Sequence, residues 1–318
     1  MYMKKIAAAF LAFVMIFCLC LTGCRLDAGQ DTQKESTITP LLYRVMDQQG
    51  NVIWLFGSIH VGLESYYPLP DYVLDAFDGS DALAVELDIM KVEWNFAQQT
   101  RLLQLLVYTD GTTISDHLPE ETYTRAVEIL KENEQYNPSL DYYMPALWWS
   151  TVETLSYEKM GAQANLGIDR HLLKRARNDG KKVLEIESAE LQYGMMADFS
   201  PQLQQILLES AIESYDNIQI AGEDLEEMMR LWAAGEEAAF GAYLSTETEI
   251  TDPEEEALYQ EYTKSLITSR NQSMTEYAVD ALASGEEIFI CVGAAHIVGE
   301  GAIAQNLRDL GYQVEIVR

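Results

Sequence analysis

Basic residues are scarce in this chain of 318 residues, and that scarcity excludes two kinds of partner. Only 21 lysines and arginines stand against 51 acidic residues, so the formal charge is -30. Proteins bind nucleic acids largely through clustered Lys and Arg side chains that contact the phosphate groups. Because such residues are scarce here, we expect no nucleic-acid partner. The same deficit argues against electrostatic docking to anionic lipid. The apolar content of 48% excludes a disordered chain.

A long apolar run occurs at the N terminus, where residues 6–21 follow Lys4 and Lys5. This run is short for a membrane-spanning helix and is typical of a signal-peptide core. It ends in small residues before Cys24, as a lipoprotein signal peptidase requires. We therefore expect residues 1–23 to be removed and Cys24 to carry lipid, which predicts an anchor on the extracytoplasmic side of a cell membrane. An uncleaved N-terminal anchor is the alternative.

Cysteine is the next scarcity, with four residues in the whole chain. Two of them leave with the signal peptide and Cys24 takes the lipid, so only Cys291 remains in the folded part. No intramolecular disulfide is then possible, and the domain depends on its own core. Residues 24–40 are polar and without apolar periodicity, which predicts a flexible tether before a domain over residues 41–318.

Strand patterns occur at both ends of that domain, and helical patterns fill its middle. A Gly/Asn turn between two β-favouring runs predicts a hairpin. The predicted strands are residues 41–46, 52–56, 82–88, 181–186, 287–292 and 312–317. The predicted helices include residues 70–77, 120–132, 146–160, 170–177 and 302–310, and an acidic helical region with a solvated face spans 200–262. This order predicts an α/β fold with a helical insertion.

Histidine is also scarce, and two of the four histidines occur in the same local pattern. An apolar strand runs into Gly57 and then His60, and another runs into Gly293 and then His296. We expect each glycine to let the backbone turn sharply out of the sheet. Ligands gather at the carboxyl ends of parallel strands, so the two imidazoles should meet there if the strands are parallel.

Glu86 is the best candidate for a carboxylate beside these imidazoles. It lies near the end of a buried apolar strand, where an unpaired charge is costly. Two imidazoles and a carboxylate suit a divalent ion such as manganese, cobalt or zinc. An arginine would also offset the charge, and Arg270 is the candidate for such an ion pair. Asp169 precedes a predicted helix, and its expected role is that of an N-cap.

Several of these segments together resemble the TraB/GumN family, which includes the TIKI proteases and is grouped with erythromycin-esterase-like and ChaN-like proteins. The resemblance covers residues 41–318 in order. It is carried by residues 56–62, 85–87, 166–169, 184–187, 270–271 and 292–296.

The resemblance implies a mixed central sheet with flanking helices, two related halves and a site built from both Gly-x-x-His motifs. For TIKI-like members it implies metal-dependent peptide hydrolysis, with manganese or cobalt as the ion. Carried over by position, His60, Glu86 and His296 form the centre. Further family-typical polar positions are matched by Glu187, Arg270 and Asn271.

The predicted function is that of a lipid-anchored metal-dependent hydrolase, and its expected substrate is a peptide or another small molecule. Glu187 would accept a proton and Arg270 would stabilise an oxyanion. Three alternatives remain at this point. The pocket could bind haem, a metal ion or a small ligand without hydrolysis, it could catalyse acid/base chemistry without a metal, or the chain could be a structural or signalling lipoprotein.

Overall fold

The computed structural model describes residues 35–245 and 250–318. Its centre is a six-stranded sheet in the order β4-β3-β5-β2-β1-β6. The strands are β1 (Leu42–Met46), β2 (Val52–Ser58), β3 (Ala82–Val85), β4 (Lys182–Glu185), β5 (Ile288–Gly293) and β6 (Gln313–Val317). All six predicted strands are therefore confirmed within a few residues of their predicted ends.

The β1–β2 hairpin begins the sheet and sets its antiparallel side. Asp47 accepts hydrogen bonds from the backbone N–H groups of Gln49 and Asn51, and Gly50 takes φ +90°, a value that favours glycine. Strand β1 pairs antiparallel with both β2 and β6. The other pairings, β2–β5, β3–β5 and β3–β4, are parallel. The sheet is mixed, as expected.

The parallel pairing of β2 with β5 places the two Gly-x-x-His motifs side by side. Gly57 is opposite Val292, and Ser58 is opposite Gly293. Both strands are fully buried near their carboxyl ends, which explains why they are apolar throughout rather than alternating. The motifs therefore leave the sheet at the same edge, which we call the site edge.

Helices flank the sheet and form a second core of their own. Their bounds are α1 (Asp71–Gly79), α2 (Ile89–Glu93), α3 (Phe96–Leu105), α4 (Glu120–Glu132), α5 (Pro145–Lys159), α6 (Ile168–Asn178), α7 (Ala189–Asp198), α8 (Pro201–Asp216), α9 (Ile218–Ala234), α10 (Glu237–Leu244), α11 (Pro253–Thr263), α12 (Ser269–Ser284), α13 (Ala294–Ile297) and α14 (Ile303–Asp309). A π-helical turn, Lys264–Thr268, joins α11 to α12.

One hydrophobic core surrounds the sheet and the other lies among the helices of the insertion. Trp148 and Trp149 on α5 are buried in the helical core, where α5 packs against α8. The predicted solvated acidic face is present on α9, where Glu223, Glu226 and Glu227 are exposed. The fold is thus an α/β sheet with a helical insertion.

The predicted signal peptide, residues 1–23, and the predicted lipidation site, Cys24, lie outside the described residues. Among the residues that are described, no helix has the length and apolar character needed to cross a membrane.

Candidate functional site

Close packing of the two motifs explains the glycine at position 57. A Cβ atom there would lie 2.9 Å from Cα of Ala294, the residue that follows Gly293 in the other motif. Gly57 is not among the glycines with positive φ, and Gly293 has φ -50°. The chain does leave β5 at Gly293, where α13 begins, but neither glycine has a positive φ, so the expected need for the conformational freedom of glycine is wrong. Gly57 instead lets two backbones approach each other.

His296 is the more buried of the two motif histidines, with 2% of its surface exposed. Its Nδ1 lies 2.7 Å from Oδ1 of Asn271, and the Asn271 amide is oriented because its Nδ2 donates to the carbonyl of Gly301 at 2.9 Å. Nδ1 of His296 therefore carries the proton and Nε2 presents a lone pair. Burial and the nearby Arg270 charge lower the pKa of His296 to about 3, so the ring is neutral at physiological pH.

His60 occupies the more open side of the site, where 16% of its side chain is exposed. Its Nδ1 lies 3.2 Å from Oδ2 of Asp169. Burial acts most strongly and lowers the pKa of His60, but the carboxylates of Asp169 and Glu86 together outweigh it, and the pKa is raised from its ordinary value. In the neutral ring the proton on Nδ1 is shared with Asp169, and Nε2 again has a free lone pair.

Glu86 lies between the motifs and is 8% exposed. Its Oε1 accepts a hydrogen bond from the backbone N–H of Gly293 at 2.6 Å and lies 4.0 Å from Nε2 of His296. Its Oε2 accepts from the Arg270 guanidinium. Burial alone would raise the pKa of Glu86, but the Arg270 guanidinium, the His60 imidazole and this N–H hold the pKa well below its usual range. Glu86 is therefore a buried carboxylate that stays ionised.

Arg270 joins Glu86 to a second buried carboxylate, Glu187. Its Nε donates to Oε1 of Glu187 at 2.7 Å, its Nη2 donates to Oε2 at 2.8 Å, and its Nη1 donates to the carbonyl of Leu266 at 3.2 Å. Gln192 donates to Oε2 of Glu187 at 2.8 Å. The ion pair considered for Arg270 and Glu86 is thus present, and the guanidinium holds both carboxylates in place.

The three residues predicted to hold a metal ion lie together, although strands 236 positions apart supply the histidines. The Glu86 carboxylate is close enough to both histidines to affect their pKa values, and His60 affects the pKa values of Glu86 and His296. In residues 35–245 and 250–318, however, no group of three or more His, Cys, Asp or Glu side chains is already arranged to hold a metal ion. Both oxygens of Glu86 are already engaged, one by Arg270 and the other by the Gly293 N–H.

Two residues were missed as members of the site, and both orient a predicted member. Asp169 contacts His60, and Gln192 contacts Glu187. The expected N-cap role of Asp169 is wrong, because helix α6 begins at Ile168 with Gly167 as its N-cap. Asp169 lies in one of the segments that carry the family resemblance, which is the signal that the sequence offers. Gln192 has no such signal.

The structure is thus a mixed α/β sheet whose parallel central strands lead into paired Gly-x-x-His motifs, with a buried Glu–Arg–Glu cluster beside them. The model of the TraB/PrgY/gumN family matches residues 41–316. The chain belongs to this family.

Two bacterial proteins match most of the chain. The uncharacterized protein YbaP of Escherichia coli (strain K12) is 28% identical over 258 residues, which cover 80% of this chain and 87% of YbaP. An uncharacterized protein of Treponema pallidum (strain Nichols) is 22% identical over 312 residues, which cover 96% of this chain and 91% of that protein. No solved structure matches the chain.

Proposed function

We propose that this protein is a lipid-anchored, extracytoplasmic hydrolase of peptide bonds that works with a divalent metal ion. The observation that carries the proposal is the pair of imidazoles at the site edge. Each has its Nδ1 fixed by a hydrogen-bond acceptor, so that Nε2 is left for another partner. Metal-ligating histidines have this arrangement, because the second hydrogen bond fixes the tautomer and the ring orientation.

The charges around the imidazoles also suit a cation. The carboxylates of Glu86, Glu187 and Asp169 surround the site, and the guanidinium of Arg270 is shared between the first two. A divalent ion would balance the remaining negative charge. His296, with a pKa of about 3, is a poor proton acceptor at neutral pH, but its unprotonated ring is the form that binds a metal.

His60 and His296 would hold the ion, with Glu86 beside them. When bound, such an ion lowers the pKa of a coordinated water and polarises a carbonyl group. Asp169 and Asn271 keep the two rings oriented, and Arg270 keeps Glu86 ionised. Because His60 is the exposed member, substrate would enter from its side.

Two predicted roles concern residues that are already paired with each other. Two roles stay predictions: Glu187 as the proton acceptor, and Arg270 as the hydrogen-bond donor that stabilises the oxyanion. In the structure the carboxylate and the guanidinium bind one another through two hydrogen bonds, so either role requires the substrate to compete with that pair. Peptides are proposed as substrates on the resemblance to the TIKI-like members.

The test is turnover of a peptide library by the purified protein after chelation and after addition of manganese, cobalt or zinc. We expect activity only with metal, and a loss of at least about 100-fold in His60→Ala and His296→Ala variants. His117→Ala is the matched control, because His117 is exposed and stacks on Tyr108 away from the site. If the fully metal-loaded protein cleaves no amide or ester, the hydrolase proposal is wrong.

The same experiment separates the alternatives. Metal binding that depends on both histidines, without turnover, would favour an ion-binding lipoprotein. A Soret band after haem addition that disappears in His60→Ala would favour a haem protein. Activity that survives chelation would favour acid/base catalysis without a metal. Lipidation is tested separately by incorporation of a labelled fatty acid, with Cys24→Ala as the control.

A further inference from the structure

The segment that leads from the predicted lipid to the domain arrives at the site edge. Strand β1 is antiparallel to β2, and its first residue, Leu42, is opposite Phe56 near the carboxyl end of β2. Whatever precedes β1 must therefore lie at the end of the sheet where β2 delivers His60. The topology alone places the end of the tether and the site on the same edge.

Residues 37–40 are then fixed to that edge by hydrogen bonds. The Thr37 hydroxyl donates to the carbonyl of Ser65 at 3.2 Å, and the Thr39 N–H donates to the carbonyl of Ala233 at 2.7 Å. The Tyr72 hydroxyl donates to the carbonyl of Pro40 at 2.6 Å. The last residues of the predicted flexible tether are therefore packed on the domain. Ser65 follows His60 by five residues, so Thr37 and His60 are on the order of 20 Å apart at most.

The length of the remaining chain decides which edge of the domain can approach the membrane. Eleven steps separate Cys24 from Glu35, and they span at most about 40 Å whatever their conformation. A compact domain of this size is roughly 45–50 Å across. The edge opposite the site could face the bilayer only if the tether were stretched along the whole domain. The site edge needs no such extension.

We propose that the site faces the membrane and that its substrate is a polypeptide attached to the same membrane. This inference rests on the proposed function, a lipid-anchored peptide hydrolase. A substrate held on the same surface meets the site at a high effective concentration, whereas a soluble peptide does not have that advantage. The substrate class is then the membrane-proximal segment of a membrane-anchored chain.

The orientation can be measured without any activity. We would attach a donor fluorophore to Leu191→Cys or to Gln49→Cys in the full lipidated protein on phosphatidylcholine vesicles that contain an acceptor lipid. Leu191 is 49% exposed and precedes Gln192 of the site, and Gln49 is exposed in the β1–β2 turn at the opposite edge. Cys291 is buried and does not compete for the label.

We expect energy transfer to be clearly greater from position 191 than from position 49. Equal transfer, or greater transfer from position 49, would overturn the proposal. Protein that carries no lipid and does not bind the vesicles would overturn it as well.

The substrate class is tested with peptides of the library in three formats. Each peptide is supplied free, acylated in the vesicles that carry the protein, or acylated in separate vesicles. We expect cleavage in the shared vesicles to be at least about ten-fold faster than in separate vesicles. The His296→Ala protein gives the background rate.

Two failures can be told apart. If no format is cleaved, the proposed hydrolase function fails and the substrate class fails with it, while the orientation measurement stands by itself. If the free peptide is cleaved and the shared vesicles give no advantage, the hydrolase function stands and the inference fails.

Discussion

Two buried glutamates in different regions of this molecule show opposite electrostatic behaviour. Glu86 lies at the site edge and stays ionised. Glu153 lies on α5 and accepts hydrogen bonds from the Tyr157 hydroxyl at 3.0 Å and from the Trp149 indole N–H at 3.3 Å. Burial raises the pKa of Glu153 to about 8 in spite of these two bonds. The carboxyl of Glu153 is therefore mostly protonated at neutral pH.

The difference teaches what keeps a buried carboxylate charged. Neutral donors do not offset desolvation at Glu153, whereas the Arg270 guanidinium, helped by the His60 imidazole and the Gly293 N–H, does so at Glu86. A retained negative charge with two imidazoles beside it is a property that binding and catalysis use, and a neutral buried carboxyl is compatible with a structural role.

Removal of Arg270 should have the largest effect. An Arg270→Met variant leaves Glu86 and Glu187 buried without their cation, so we expect the free energy of unfolding to fall by about 5 kcal/mol. Urea denaturation measures it. Arg230→Met, which removes an exposed pair with Glu227, is the control and should leave the free energy of unfolding almost unchanged. Similar small losses in both variants would contradict the assigned role of Arg270.

Glu153 should make the protein less stable as the pH rises. Its folded-state pKa lies above the unfolded value, so its stabilising effect is complete below the unfolded pKa and is lost as the pH rises towards about 8. Between pH 5 and pH 8 we expect this group to cost about 3 kcal/mol. Denaturation of wild type and Glu153→Gln across that range measures the difference. Parallel pH profiles for the two proteins would show that Glu153 is not neutral when folded.

The Gly57→Ala substitution should push the backbones of the two Gly-x-x-His motifs apart. The added Cβ would meet the backbone of Ala294 at 2.9 Å, so we expect a loss of about 1–3 kcal/mol in unfolding free energy and weaker metal binding. Gly79→Ala is the control, because a Cβ at the end of α1 would meet no atom within 4 Å. An unchanged protein would show that the close approach at position 57 is not required.

Asp169→Asn should have the smallest effect on stability and a clear effect on His60. The substitution keeps the shape but removes the charge, so we expect a loss of about 1 kcal/mol and a fall in the pKa of His60. Titration of the imidazole signals by NMR measures the shift. Asn271→Asp is the reciprocal variant and should raise the pKa of His296. If the pKa of His60 is the same in the Asp169→Asn variant as in the wild type, Asp169 does not act on the site through His60.

Most of the elements were predictable because their signals are local. The β1–β2 hairpin, β5 and helices α4 and α5 are confirmed close to their predicted bounds, since strand and helix patterns repeat every few residues. The two Gly-x-x-His motifs are also local, and so is the apolar setting of Glu86. What the sequence did not reveal is the contact of Ala294 with Gly57, the part that Asp169 plays beside His60, and the place of Gln192.

Local patterns of residues were enough to predict an acidic α/β chain with a helical insertion and two histidines that follow apolar strands. The tertiary structure decided which charges survive burial. Glu153 meets its partners four residues away on one helix, whereas Glu86 meets Arg270 across 184 positions and the Gly293 N–H across 207. A carboxylate buried in an apolar strand has no fixed charge until the fold supplies its neighbours, because desolvation and the distances to other charges together set its pKa.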